Sequence, residues 1–548
     1  MPFKASRKRS AFDLAAMNDL ASNPSRSTEW RWLALWLVLL LPLALTFPPI
    51  PIDETRYLTA AWEMFNSGQW LVPTVDGAWY SDKSPLLFWL IVFGWKLVGV
   101  HTWVARVGTL VVSLGILLTL RRLAVRFDIG QRGPDAAMWL LAGCLGFVVF
   151  SAAIMFDLLL TLFVLAALHA LLDLDRRKWA RGVVALGIAV GLGLLAKGPV
   201  MLLHIAGAGL LAPFWSDTAR SLKSRWYAAL LAGLLIGVAL MACWVIPAAL
   251  YAGPSYWQPL LDKISGRITN SFAHNRPWWW YLPLVPLLVL PWLLTLRAPL
   301  AAWKAMPRER IGRFVFCWWL PPFMAFCAIS GKQIHYLLPL LPAWMLGGAW
   351  LLQRDGARLR PGLLVLLALL AGAAIAALPW QAAHRFGYSP QPWAAVFAPL
   401  ALIIAFCIWR AWGRNVRSLA LAATTLISTA MLAFALSCLP ALDVTAEASF
   451  VAQAQRAHLA LVHVETSSGL FGYAGRLHEP VPWIPKTQVG AWCRAHPDGI
   501  VLTSEGHDEP AGAKPFRSWP YLLSGSKRIA AWRAGDVLAA ARAGADSR

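Results

Sequence analysis

The chemistry this sequence can offer rests on two acidic positions and a scatter of cations. The first acid lies in Asp53-Glu54-Thr55-Arg56-Tyr57, directly after the proline run Phe47-Pro48-Pro49-Ile50-Pro51. Leu58, Ala61, Trp62 and Phe65 recur at spacings of three and four, which predicts an amphipathic helix over 53–66 lying at a membrane surface. Such a helix puts Asp53, Arg56 and Tyr57 on one face, at i, i+3 and i+4. Asp53 is then either an N-cap, a role aspartate favours, or a charged member of a site. Tyr80-Ser81-Asp82-Lys83-Ser84-Pro85 supplies a lysine that either binds a phosphate as a point charge or anchors its loop to anionic headgroups. Asp157, in Met155-Phe156-Asp157-Leu158, has the same two readings as Asp53. A carboxylate so close to hydrocarbon is costly, which points toward function. Further cations follow at Lys197 in Ala196-Lys197-Gly198-Pro199, at Lys332 a few residues before Tyr336, and at Lys263, Arg267, His274 and Arg276.

Composition dictates the frame that must position these residues. Of 548 residues, 58% are hydrophobic and only 14% charged, against roughly a quarter charged in soluble domains. An α-helical polytopic membrane protein is expected, with about thirteen crossing segments. They are 32–47, 104–120, 136–154, 158–172, 183–195, 200–214, 226–249, 279–296, 314–329, 336–352, 362–379, 393–409 and 419–438. No small-residue cleavage site follows the first apolar run, so residues 1–31 read as a cytoplasmic tail before an uncleaved span. Arginine-rich loops alternate with poorer ones. The rich set holds Arg121/Arg122/Arg126/Arg132, Arg176/Arg177/Lys178/Arg181, Arg220/Lys223/Arg225, the run from Arg297 to Arg313, Arg354/Arg358/Arg360 and Arg410/Arg414/Arg417. By the positive-inside rule these face the cytoplasm. Leu86–Trp95 is too short to cross, and crossing there would invert every later loop, so it reads as a helix at the outer interface. The membrane domain thus covers 32–439, with outer loops 48–103 and 250–278. From 440 to 548 apolar density falls. Strand-like runs at Leu459–Val464 and Gly499–Thr503 alternate with helical patterns at Ala446–His458 and Val537–Arg542, which predicts a small outer α/β domain.

This topology gathers both candidate acids and the non-topogenic cations on the outer face. The formal charge, 49 basic minus 27 acidic residues or +22, follows the loops rather than a nucleic-acid groove, so no nucleic acid is expected. The seven cysteines form no CxxC pair. GxxxxGK[ST], a strand–GxGxxG–helix unit and HExxH are all absent, which argues against a nucleotide donor. No cofactor is required on this reading. The one metal candidate is a structural divalent ion such as zinc, bridging Asp82 and His274 if their loops meet. The pattern suits a site that handles an anionic, phosphorylated lipid. A flippase or transporter fits less well, since ionisable residues are scarce within the spans where a path would run.

On these residues the chain resembles the membrane glycosyltransferases of the protein O-mannosyltransferase superfamily, which share the GT-C fold, and among them the bacterial lipid A 4-amino-4-deoxy-L-arabinose transferases. The resemblance rests on the Asp53–Tyr57 motif, the Tyr80–Pro85 segment, Asp157, Lys197-Gly198-Pro199 and Lys332 through Pro339. In the second motif Asp82 stands where glutamate is common and Ser84 where proline is common. The resemblance implies a monomeric multi-pass enzyme of the bacterial inner membrane whose active site faces the periplasm. Its donor would be undecaprenyl phosphate-linked aminoarabinose and its acceptor a phosphate of lipid A, giving resistance to polymyxin and other cationic peptides. Asp53 and Asp157 would be catalytic. Arg56, Tyr57, Tyr80, Lys83, Lys197, Arg267, Lys332 and Tyr336 would bind donor phosphate or substrate. The alternative within enzymes is a polyprenyl-phosphate-dependent mannosyltransferase acting on protein or another glycan.

Overall fold

The computed structural model describes residues 26–254, 256, 258, 275–410, 415–522 and 528–546. Among these, ten helices are long and apolar enough to cross a membrane, from Glu29–Thr46 to Val416–Ser437. The predicted span 136–154 is a bent pair, Gly133–Ala142 and Leu145–Ser151, with a 62° change of direction. The bend has a local cause. A side chain on Gly143 would collide with Ala420 and Trp292, and the Leu145 N–H donates to Leu290 O at 2.7 Å rather than continuing the helix.

Two predicted crossings, 200–214 and 279–296, fall short as single helices. The first is Val200–Leu210 plus a 3-10 turn, and the second is broken into Tyr281–Leu288 and Trp292–Thr295. Both nevertheless traverse the bundle. Lys197 pairs with Asp157 in the first turn of the helix Phe156–Asp175, and Ser216 hydrogen-bonds Asp175 in its last turn. The chain from 197 to 216 therefore runs the length of a 20-residue helix, about 30 Å. In the second case the Arg276 N–H donates to Ser330 O at one rim, and Leu296–Arg297 (β3) pairs with Arg358–Leu359 (β4) at the other. The arginine-rich loops gather on that second rim. There Arg126 and Arg181 hold Asp173 at 2.8 and 3.0 Å, and Arg310 holds Asp175.

The longest-packed pair of helices is set by glycine. Gly187 and Gly191 on Trp179–Lys197 face Gly233 and Gly237 on Lys223–Ala252, and a methyl group at any of the four would stand under 3 Å from the opposite helix. Small residues spaced four apart on both helices allow this backbone approach, a common device between membrane helices.

Outside the bundle, Asp53–Ser67 is a helix ended by Gly68 in the left-handed region at φ +71°. Leu86–Val98 is a 13-residue apolar helix, about 20 Å long and too short to cross. Between them lies the hairpin Thr74–Val75 (β1) with Ala78–Trp79 (β2). The C-terminal domain is a five-stranded sheet of Leu461–Val464 (β5), Trp483–Ile484 (β6), Ile500–Thr503 (β7), Arg517–Pro520 (β8) and Arg528–Arg533 (β9). Its order is β6-β5-β7-β9-β8, parallel around β5 and antiparallel around β9. Helices Thr445–Arg456 and Ala534–Asp546 lie close to the predicted positions.

One buried ion pair joins four of these pieces. Arg106, fully buried near the start of the span Thr102–Val125, bonds Glu54 at 2.5 Å. It also donates to Phe47 O and Pro48 O at the end of the first span. Glu54 in turn accepts the N–H groups of Ile50 and Ile154, each at 2.7 Å. Removing one partner of a buried pair leaves an uncompensated charge, at a cost of roughly 3–5 kcal/mol. Glu54→Gln should therefore lower the melting temperature of the detergent-purified protein by several degrees. A melting curve indistinguishable from wild type would show that the pair does not hold the bundle together.

Candidate active site

Asp53 and Asp157 arrive at one rim from different helices, and neither is an N-cap. The caps are Ile52 and Met155, and neither helix start has a side-chain cap bond. The capping alternative therefore fails for both carboxylates. Adjacent helical residues point about 100° apart, so Glu54 turns inward to Arg106 while Asp53 turns toward Tyr57. The Tyr57 hydroxyl donates to Asp53 Oδ1 at 3.4 Å.

Asp157 is buried and ion-paired to Lys197. Its second oxygen lies 3.9 Å from His335 Nε2. The Lys197 ammonium sits 4.8 Å above the Tyr336 ring, a favourable cation–π arrangement. Lys83 approaches from the loop after β2, its ammonium 5.8 Å from the Tyr57 ring centre and 5.6 Å from that of Phe156. Tyr57 and Phe156 are themselves stacked edge to face at 4.8 Å. Burial pushes the Tyr57 phenol well above its ordinary range, and the nearby Asp53, Tyr80 and Asp157 add to the effect while Arg56 opposes it. Burial likewise raises Tyr80, opposed chiefly by the neighbouring Arg56 guanidinium. The Tyr80 hydroxyl makes no well-aligned hydrogen bond to it. Both tyrosines are thus neutral hydrogen-bond donors at any physiological pH. The assembled set is Asp53, Arg56, Tyr57, Tyr80, Lys83, Asp157, Lys197 and Tyr336, with His335 added.

The remaining candidates stand apart from this set. Lys332 is buried with its ammonium on the backbone carbonyls of Arg276 and Ile329, where it ties the chain at 276 to the end of the helix Arg310–Ala328. Asp82 lies beside Tyr256, whose phenol is pushed up to about 12, mainly by burial and then by that carboxylate. Lys263, Arg267 and His274 lie outside the described residues, and with them the Asp82–His274 metal pair. Among the described residues, the one cluster with metal-ligand types is Glu505, His507 and Asp508 in the C-terminal domain, where Glu505 and His507 are exposed.

Sequence reading missed three contributors. Glu54 and Arg106 fix the two acids, and an arginine isolated inside an apolar span was a usable signal. His335, beside Tyr336, has no spacing signal of its own and shows itself only by its approach to Asp157. The third is the segment 467–477 of the C-terminal domain, which docks on the Asp53–Ser67 helix. Arg56 Nε donates to Ser468 O at 3.4 Å, Thr59 Oγ1 to Gly469 O at 2.7 Å, and Trp62 Nε1 to Leu477 O at 2.7 Å. Asp76, in the β1–β2 turn, accepts from Ser467 Oγ and Gly469 N at 2.7 and 2.9 Å. Gly469 is at φ +79°, and a Cβ there would stand 2.9 Å from the Arg56 Cα, so both its conformation and its closeness require glycine.

Comparison with known proteins gives a consistent picture. Residues 82–246 match the family model of dolichyl-phosphate-mannose-protein mannosyltransferases. The undecaprenyl phosphate-alpha-4-amino-4-deoxy-L-arabinose arabinosyl transferase of Pseudomonas aeruginosa (strain LESB58) is 33% identical over 360 residues, 63% of this chain and 64% of that one. Transferase 1 of the same description from Pseudomonas fluorescens (strain Pf0-1) is 31% identical over 356 residues, 62% of this chain and 61% of that one. The chain thus spans somewhat less than two thirds of these relatives' lengths. The crystal structure of ArnT from Cupriavidus metallidurans bound to undecaprenyl phosphate superposes with a TM-score of 0.73 at 20% identity, covering 92% of this chain and 98% of that one. Its apo form gives the same score, covering 94% and 99%. The fold is therefore that of ArnT.

The two acids should respond differently to neutralisation. Asp53→Asn removes no cap and no ion pair, so the variant should melt near wild type while activity falls by about 100-fold or more, as on loss of an electrostatic stabiliser. Asp157→Asn strands the buried Lys197 charge and should lose both activity and thermal stability. Adding Lys197→Met should restore the melting temperature without restoring activity. A melting temperature in the double variant as low as in the single one would contradict this division.

Proposed function

We propose that this chain is an integral-membrane glycosyltransferase that moves 4-amino-4-deoxy-L-arabinose from undecaprenyl phosphate to a phosphate of lipid A, at the periplasmic face of a bacterial inner membrane. The observation that carries the reading is the cluster itself. Two carboxylates, Lys83, Lys197, Arg56 and two neutral tyrosines converge on one rim of a bundle whose fold is that of a protein solved with undecaprenyl phosphate bound. The names of the curated relatives supply the sugar. The basic loops on the opposite rim support a cytoplasmic position for that rim, and hence a periplasmic one for the site.

In the reaction, an oxygen of the lipid A phosphate attacks C1 of the sugar, and the bond from C1 to the undecaprenyl phosphate oxygen breaks. The leaving group departs with the bond's electron pair as a stable phosphate anion, so it needs no proton. Lys83 and Arg56 stabilise its growing charge, the electrostatic contribution that matters most in such sites. The acceptor is itself an anion near pH 7, since the second pKa of a phosphate monoester is about 6, and needs little help from a base. Asp53 is then free to hold the sugar's ammonium group or to steady positive charge at C1. Asp157 holds the Lys197 ammonium in place through their ion pair. These steps call on side chains alone. The product replaces a bare phosphate by a cationic sugar and weakens the pull on cationic peptides such as polymyxin.

A second reading, transfer of mannose from a polyprenyl phosphate, is favoured by the family model over 82–246. One assay separates them. Purified protein is incubated with lipid A and with undecaprenyl phosphates carrying either sugar, and the product is weighed by mass spectrometry. A lipid A adduct of the aminopentose is expected; mannose transfer alone would favour the second reading, and movement of labelled lipid with no covalent product would make the protein a flippase. In the same assay Lys83→Ala should abolish transfer and Lys83→Arg should lose most of it, because a planar guanidinium does not replace a compact ammonium in a shaped phosphate pocket. Full activity of Lys83→Arg would reduce Lys83 to a headgroup anchor.

Sidedness is tested separately. Ala78 and Ser224 are both exposed, on opposite rims. A cysteine at Ala78 should react with an impermeant thiol reagent added to the periplasm, and one at Ser224 should not. The reverse pattern would place the site in the cytoplasm.

A further inference from the structure

His204 is the one fully buried histidine with neither ring nitrogen bonded to the protein among the described residues. It lies on Val200–Leu210, the helix entered from Lys197-Gly198-Pro199. Gly198, at φ +72°, makes the reversal that brings this helix back beneath Lys197. The ring rests against Phe326 at 5.3 Å and is within electrostatic reach of both Lys197 and Asp157. Phe326 in turn lies 5.8 Å from the Tyr336 ring that carries Lys197, which sets His204 on the hydrocarbon side of their ion pair.

A buried imidazole with two unmet nitrogens is expensive. Each unsatisfied polar group costs roughly 1–3 kcal/mol, whereas a leucine in the same apolar surroundings carries no such penalty. Nothing in the packing against Phe326 calls for a polar ring. The polar groups nearby that justify one are Lys197 and Asp157, and a buried water needs two to four polar partners, the kind this trio offers.

We propose that His204 is a positioning residue that holds an ordered water beneath the Asp157–Lys197 pair, and that this water fixes the Lys197 ammonium toward the donor phosphate. The inference rests on the proposed transfer reaction. Its site is distinct from the groups that touch substrate, and its role is to restrict where the lysine's protons point. Orientation of this kind acts on the transition state more than on binding, because a misaligned ammonium still attracts the donor but stabilises its leaving charge poorly.

The test compares wild type, His204→Leu and His204→Gln in the lipid A assay and in thermal melting. Product formation by wild type establishes the reaction itself, so failure there would count against the proposed function and not against His204. Given that reaction, His204→Leu should melt at or above the wild-type temperature, since it removes a buried polar liability. Its kcat should fall at least 10-fold with KM for the donor changed less than threefold. His204→Gln, which can donate and accept, should recover most of the lost rate. Wild-type kinetics in the leucine variant would overturn the proposal. So would a lowered melting temperature alongside the lost activity, which would make the residue a packing element. A glutamine variant as slow as the leucine one would also overturn it, because ring shape rather than a polar partner would then be what matters.

Discussion

The buried contact between Glu54 and Arg106 is the constraint on which the site depends. Taking two charges out of water is costly, and the pair repays this because all three guanidinium nitrogens and both carboxylate oxygens are hydrogen-bonded. Those additional partners are what give it reach. Through Phe47 and Pro48 it fixes the exit of the first span, and through Ile50 and its own helix it fixes the residue next to Asp53. Through Ile154 it fixes the chain three residues before Asp157. The two candidate acids are more than a hundred positions apart in sequence, yet each is a short, stiff step from the same carboxylate. Preorganisation of this kind is what an electrostatic site needs, since the groups must already be in place when charge develops.

Around that anchor the rim is built mostly of aromatic surface. Tyr57, Phe88 and Phe156 pack edge to face or tilted against one another, and Tyr80 tilts onto Phe88. This wall does two things at once. It keeps water away from the cations, so that their fields are less screened than at an open surface, and its ring faces favour the ammonium of Lys83. Lys197 receives the same treatment from Tyr336 on one side and a carboxylate on the other. The site thus keeps positive charge at one rim of the bundle.

Much of this is legible in the sequence. The one-face alignment of Asp53 and Tyr57 follows from helical spacing, and the non-crossing character of 86–95 follows from length together with the basic loops. The strands at 461–464 and 500–503 followed from short apolar runs between polar turns. Span count was harder, because two crossings are broken and depend on neighbours to satisfy their backbone; connectivity, not hydropathy, identifies them. What escaped was long-range. Nothing local ties Glu54 to Arg106, or Ser468 to Arg56 across 412 positions. His204 was invisible for another reason: a lone histidine in an apolar run reads as packing until its unmet nitrogens are seen. The glycines at 187 and 191 and at 233 and 237, four apart in each helix, do carry a local packing signal.

The docking of segment 467–477 bears on how such proteins diverge and recombine. Since Gly469 fits against Arg56 with no room for a methyl group, and Asp76 accepts from both the Ser467 hydroxyl and the Gly469 N–H of that segment, the boundary near residue 440 is a seam in architecture but not in inheritance. A chimera that exchanged everything after 440 would bring a foreign tongue against the native helix 53–67 and its hairpin. Shuffling would succeed only when those three stretches came from the same parent. Over evolutionary time they are bound to drift together, as one module split across the two ends of the chain.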